Sequence, residues 1–236
     1  MELQLIKCKT EKFNLHVMHD DEFIGYTTRS TGKLWEEWIF EEVEKVYKKG
    51  TDIIDIGANI GTHSLMFSEL GPVFSFEPVY HKITTLNINS NNLKNKVTVY
   101  PYALSDKNET VKMYIPIKTP WGARNYGGTS MYPNVTSIHS EDLFIMCECH
   151  ILDDVYNGVP SVIKMDVEGA ELKVLNGAVK LIEKHKPYLF VEISGIYENN
   201  EVGKFIESMG YIVYKKCSHG VYIFKHTSID LDQKQS

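Results

Sequence analysis

The sequence predicts an α/β fold: a doubly wound, mostly parallel sheet covered by helices on both faces, with an antiparallel hairpin at its C-terminal end. Three observations carry this. From residue 51 onward, nearly continuous apolar runs alternate with amphipathic stretches, the pattern of buried strands joined by right-handed helical crossovers. Several of those runs end in an acid, two of them at small-residue turns that open a helix. The last two runs, 211–216 and 220–225, are separated only by Cys217, Ser218 and His219. That spacing admits a hairpin but no crossover, so at least one closing strand runs antiparallel.

Residues 1–49 read as an N-terminal extension. Extended runs at 3–7, 13–18 and 23–27 suggest short strands or a hairpin, and apolar positions 35, 38, 39, 43, 46 and 47 recur at helical spacing opposite a glutamate-rich face. The main domain, 50–226, begins with a strand at 51–56, a helix after Gly61, a strand at 72–77 and a helix carrying Ile83, Leu86 and Leu93. A strand at 97–102 and extended stretches at 110–115 and 143–151 follow. A strand at 160–166 leads into a helix with Leu172, Leu175, Val179 and Ile182, and a strand at 188–193 into one with Val202, Phe205, Ile206 and Met209. Residues 227–236 read as a polar tail. The longest irregular stretch, 117–137, is rich in Gly, Pro and Asn. Such connections often act as lids or binding loops, and Trp121 and Tyr126 on it are candidate contacts for a sugar or another ring.

Composition narrows the function. A formal net charge of -6 argues against a broad phosphate-binding surface, so no nucleic-acid partner is expected. No apolar run approaches the roughly 18 residues that a membrane helix needs, and the first residues lack a leader pattern. The expectation is a cytoplasmic chain without a membrane partner. The four cysteines do not form a disulfide framework. Cys147, Cys149 and His150 lack a second ligand pair at zinc spacing, which favours reduced, buried thiols.

The segment from Ile53 to His63 is a strand that runs into a small-residue turn and then a helix. Gly57 and Gly61 let the backbone approach a ligand at the carboxyl end of the strand. Twenty residues beyond Gly57, the run 73–76 ends in Glu77, which can accept hydrogen bonds from ribose hydroxyls. A dinucleotide site would carry G-x-G-x-x-G; here the turn reads G-x-N-x-G, and Asp55 would repel a pyrophosphate. Asp55 and Asn59 suit an amino-acid end instead, so the ligand expected is S-adenosylmethionine. A second strand ends at Asp166 and Glu168, which their spacing puts on one side of an extended chain, and a third ends at Glu192. Capping of the next helix is the competing reading of the first two.

In order along the chain, DIGANIGTHS (55–64), FEP (76–78), ALSD (103–106), GGTSM (127–131), LDD (152–154), KMDVEGAE (164–171) and VEIS (191–194) together resemble the FkbM family of methyltransferases. This resemblance implies a Rossmann-like class I fold and S-adenosylmethionine-dependent methylation of a hydroxyl, largely on sugars and natural products. It implies that Asp55, Gly57, Asn59, Gly61, Thr62, Glu77, Pro78, Ala103, Leu104 and Asp166 hold the cofactor. Asp166, Glu168 and Glu192 become candidate catalytic acids, or Mg²⁺ ligands if the reaction uses that ion. Gly128, Thr129 and Ser130, with Trp121 and Tyr126, become candidates for the site of a small-molecule or glycan acceptor. Two other readings stay open on residues alone: a protein side chain or RNA ribose as acceptor, and a non-catalytic domain of the same fold.

Overall fold

The computed structural model describes residues 3–133, 139–193 and 200–229. Strands β1 (Leu5–Lys9) and β2 (Asn14–Met18) form an antiparallel hairpin, as the short apolar runs predict. The third run does not. Residues 24–27 lie in helix α1 (Ile24–Thr31), with Phe23 at its N-cap, although Phe23, Ile24, Tyr26 and Thr27 favour strands. Asp21 overrides that preference: its carboxylate accepts the Phe23 and Gly25 amides at 3.2 and 2.8 Å, holding the first turn as a cap does. Helix α2 (Glu37–Val46) follows.

Among the described residues the main sheet has seven strands: β3 (Asp52–Ile56), β4 (Val73–Phe76), β5 (Val97–Tyr100), β9 (Pro160–Met165), β10 (Tyr188–Glu192), β11 (Tyr211–Lys216) and β12 (Val221–His226). Their spatial order is β11-β12-β10-β9-β3-β4-β5. Pairings from β10 through β5 are parallel, and β12 runs antiparallel to both β10 and β11. This is the Rossmann-like class I methyltransferase arrangement with its antiparallel closure. The 110–115 and 143–151 stretches leave this sheet. As β7 (Glu109–Pro116) and β8 (His139–His150) they pair antiparallel, with β6 (Ala103–Leu104) on the other side of β8, in a separate sheet.

Each face of the main sheet buries its own core. On one face Ile54, Ile56, Phe76, Met165 and Leu189 pack beneath α6 (Glu171–Asn176), α7 (Val179–His185) and α8 (Glu201–Ser208) through Val174, Leu175, Ile182 and Ile206. On the other, Ile53, Val162, Phe190 and Ile223 meet Ile39 and Val43 of α2 and Phe67 of α3 (Thr62–Phe67). Each such side chain contributes about 1.5–3 kcal/mol on burial. Helix α4 (His81–Asn89) supports the N-terminal hairpin through Ile83, and α5 (Leu152–Val155) precedes β9.

The helix expected over 172–182 is broken into α6 and α7 at Gly177. A β-carbon there would sit 2.1 Å from the Ser105 carbonyl oxygen, so the chain passes too close for any side chain. No helix among the described residues is long and apolar enough to cross a membrane. Most of the expected tail, part of the 117–137 stretch and the last residue of VEIS lie outside the described residues.

Candidate active site

The chain runs outward from β3 to β5 and returns to begin again at β9, so β3 and β9 flank the switch point where open α/β sheets bind ligands. Register brings the strand ends level. Ile56 pairs with Phe76 and Met165, and Met165 with Val191, which sets Gly57, Glu77, Asp166 and Glu192 side by side along the carboxyl edge. A cleft of ≈ 330 Å³ opens over this edge.

The turn after β3 depends on left-handed backbone. Gly57, Asn59 and Gly61 have φ of 77°, 51° and 87°. Its amides are fixed from outside: Gly57 donates to the Phe76 carbonyl at 3.0 Å and Asn59 to Glu77 Oε2 at 2.8 Å. Thr84 Oγ1 donates to the Asn59 carbonyl. Glu77 also accepts the Val79 and Tyr80 amides on Oε1, at 2.8 and 2.9 Å. A carboxylate has about four acceptor positions, so these three bonds leave roughly one open toward the cleft. Burial pushes the Glu77 carboxyl up to about 7, against the pull of those amides.

Asp55 is fully buried beneath the turn rather than at the cleft surface. Its Oδ2 accepts the Ser64 hydroxyl at 2.5 Å, and its Oδ1 lies 3.7 Å from Lys164 Nζ. The expected contact between Asp55 and an amino-acid end is replaced by a supporting role, because the side chain points into the sheet's core. Lys164 reaches 3.4 Å to Asp166 Oδ2 and 3.3 Å to the Gly57 carbonyl, tying β9 to the turn. Burial alone would lower Lys164, but Asp166, Asp55 and Glu36 hold it above the ordinary lysine value. A lysine inside the otherwise apolar run 162–165 is a legible signal of a buried ionic partner.

Asp166, Glu168 and Glu192 all line the cleft. Burial, reinforced by Asp166 and Glu171, pushes Glu168 up to about 8. Glu192 is raised further by burial, by the charge of Asp166 and by a hydrogen bond with it. Both carboxyls are therefore biased toward the protonated form. Glu168 sits at φ 51° with its carbonyl accepting the Ser130 hydroxyl, while Glu171 reaches back to accept the Val167 and Gly169 amides; the next helix has Ala170 at its N-cap and no side-chain cap, so capping does not account for Asp166 or Glu168. Among the described residues no three His, Cys, Asp or Glu side chains are set to hold one metal ion. The proposed Mg²⁺ set does not fit, and the reading of Cys147 and Cys149 as buried free thiols agrees with the structure.

Pro78, Thr62, Ala103, Leu104 and Thr129 also line the cleft, and Asn59 does so with its side chain turned back to its own loop, accepting the Ile60 amide. The other acceptor candidates do not line it. Tyr126 is buried with its hydroxyl on Asp20 at 2.9 Å, Ser130 is spent on Glu168, Gly128 closes a 3-10 turn, and Trp121 is 72% exposed. Gly61 lies behind the turn against Thr84. The far wall comes from Trp35, Glu36 and His219, which belong to no local motif, and from His63, which lies within DIGANIGTHS but is not among the expected site residues. Glu36 Oε1 is 2.6 Å from His219 Nδ1, and its Oε2 is 3.9 Å from His63 Nε2. Burial, aided by Lys164, holds His63 well below its usual value, so its imidazole is neutral.

Comparison with known proteins places this site in a family. Residues 55–213 match the model of the methyltransferase FkbM domain. The hexuronic acid methyltransferase AglP of Haloferax volcanii is 27% identical over 201 residues, covering 78% of each chain. The crystal structure of methyltransferase FkbM from Methylobacillus flagellatus is 17% identical with a TM-score of 0.48, covering 79% of this chain and 50% of its own. A Pyrococcus abyssi tRNA (uracil-54, C5)-methyltransferase bound to S-adenosyl-L-homocysteine gives 12% and 0.48, covering 95% and 44%. This chain thus spans about half the length of those two solved proteins or less. The matched span includes the glycine turn, Glu77 and the Asp166–Glu192 acids, and the chain belongs to the FkbM methyltransferase family.

Proposed function

We propose that this methyltransferase takes the methyl group of S-adenosylmethionine and transfers it to a hydroxyl of a sugar or glycan. One observation carries the reading: the glycine turn and Glu77 wall the same cleft as Asp166, Glu168 and Glu192. Glu77 offers its remaining acceptor position to a ribose hydroxyl, Pro78, Ala103 and Leu104 give an apolar shelf for a purine, and Gly57 and Thr62 border the amino-acid end. The cofactor supplies a sulfonium-borne methyl group for in-line displacement. Asp166 takes the proton of the acceptor hydroxyl, while Lys164 holds its carboxylate in place. Glu168 and Glu192, carrying protons, donate hydrogen bonds that orient the acceptor or Asp166.

A sugar acceptor is supported by the relative named a hexuronic acid methyltransferase. The acidic walls of the cleft and the net charge of -6 weigh against a nucleic acid. The test is release of S-adenosylhomocysteine from S-adenosylmethionine in the presence of sugars, glycans and small hydroxylated metabolites, with and without Mg²⁺, and identification of the methylated product by NMR. A methoxy signal on a saccharide is expected; methylation of nitrogen or carbon, or of no saccharide at all, overturns the reading.

A further inference from the structure

The wall formed by Trp35, Glu36 and His219 lies outside the family match at 55–213 and adjoins, beside the cleft, a second, open hollow of ≈ 340 Å³. All three residues border both spaces. Trp35 stacks on His219 at 5.8 Å and 11°, with Phe23 edge-on at 6.0 Å. Glu36 and His219, the pair that locks the wall, both occupy left-handed backbone at φ 52° and 55°. Such conformations are costly for non-glycine residues and persist where the surroundings impose them.

Polar groups at the wall lack partners in a way that points to a ligand. His63 Nε2 is buried without a hydrogen-bond partner, on a side chain that is 9% exposed. Glu36 Oε2 lies 3.9 Å from it. A hydroxyl oxygen about 2.8 Å from each would donate to the carboxylate and offer hydrogen-bonding capacity to the imidazole. In the second cavity, bordered by Thr27, Thr31 and Lys33, Trp38 Nε1 is likewise a buried donor without a partner. Flat indole faces beside isolated hydroxyl-binding groups are the chemistry of pyranose recognition.

We propose that Trp35, Glu36 and His219 form a clamp for an oligosaccharide acceptor: one sugar is read in the cleft by Glu36 and His63, and the next lies across Trp35 in the second cavity. This rests on the sugar reading above and sharpens it, since it makes a chain of at least two sugars the preferred substrate and the clamp residues the determinants of specificity.

The experiment compares kcat/KM for methyl glycosides of glucose, mannose, N-acetylglucosamine and galacturonate with that for cellotriose, maltotriose, 1,4-mannotriose, chitotriose and trigalacturonate. The wild-type enzyme is expected to prefer the trisaccharide of its sugar by about tenfold, a difference of about 1.4 kcal/mol. Trp35→Ala and Glu36→Gln should raise the trisaccharide KM and remove the preference while leaving the dissociation constant of S-adenosylmethionine within about twofold, and Trp35→Phe should restore part of it. Should Trp35→Ala not fold, Trp35→Phe and Glu36→Gln carry the comparison. Equal use of monosaccharide and trisaccharide, or variants with unchanged KM, overturns the clamp and leaves the sugar reading standing. Turnover of no saccharide removes both.

Discussion

The carbonyl oxygen of Asp166 lies 1.8 Å from the position a β-carbon on Gly57 would occupy. The glycine turn and the acid-bearing strand end therefore interlock backbone to backbone, and the glycine is required by contact as well as by its φ of 77°. Gly57→Ala must push the end of β9 away. It should lower stability by about 1–3 kcal/mol and weaken S-adenosylmethionine binding at least about tenfold. Gly32→Ala is the control: φ is 71°, but nothing stands within 4 Å, so only the backbone penalty of about 1 kcal/mol applies. Thermal denaturation and calorimetry on both variants check this, and equal effects at the two positions would refute the interlock.

Lys164 is buried between Asp55 and Asp166. Replacing it with Met leaves the fully buried Asp55 carboxylate without its cation, beside Asp166 at the cleft edge, a loss of about 3–5 kcal/mol at neutral pH. Acid should relieve that cost, because protonation removes the repulsion. Urea titrations of wild type and Lys164→Met at pH 5 and 7 are expected to show a smaller gap at pH 5, and a gap independent of pH would be inconsistent with the ionic explanation.

The parts legible in the sequence are those where neighbouring residues decide the outcome. Apolar runs such as 53–56 and 162–165 are strands because both faces are covered, and the hairpin follows from three intervening residues. The glycine turn and Glu77 could be found because the parallel register of β3 and β4 converts sequence spacing into proximity. Asp55 shows the limit: the same motif names the residue without telling whether its side chain faces ligand or core, and Ser64, Ser75 and Lys164 settle that from different elements. Residues 23–27 look extended until Asp21 caps them. Trp35 and His219 carry no local signal, since 184 positions separate them and only the fold stacks them.

Glu77 accepts three backbone amides, so Glu77→Gln turns an amide donor toward at least one of them. The turn should loosen, and the dissociation constant for S-adenosylmethionine should rise by about tenfold or more. Calorimetric titration with S-adenosylhomocysteine tests the same contact without turnover. Wild-type affinity would remove Glu77 from the cofactor site.

Asp166→Asn keeps the shape of the strand end but removes the proton acceptor. Turnover is expected to fall by about 10²–10⁴-fold while cofactor affinity stays within about threefold. Stopped assays of S-adenosylhomocysteine release, paired with binding measurements, separate the two. Unchanged turnover would shift the base to another group in the cleft, such as the neutral imidazole of His63 in the far wall.

Glu168 gives a pH dependence whose sign is fixed. Burial is the main cause that lifts its carboxyl to about 8, with Asp166 and Glu171 adding to it, whereas an unfolded glutamate titrates near about 4.3. Between those values the folded chain binds more protons than the unfolded one, so this group's contribution to stability is fully present below about 4.3 and is lost as pH rises through about 8. Glu168→Gln should therefore flatten the decline in Tm between pH 5 and pH 8. A sulfonium near Glu168 favours its charged form, so S-adenosylmethionine should release protons on binding near pH 8, and more than S-adenosylhomocysteine, which lacks that charge. Calorimetry in buffers of different ionisation enthalpy counts those protons. Equal release by the two ligands would place the sulfonium away from the acids and contradict the arrangement of the reacting groups.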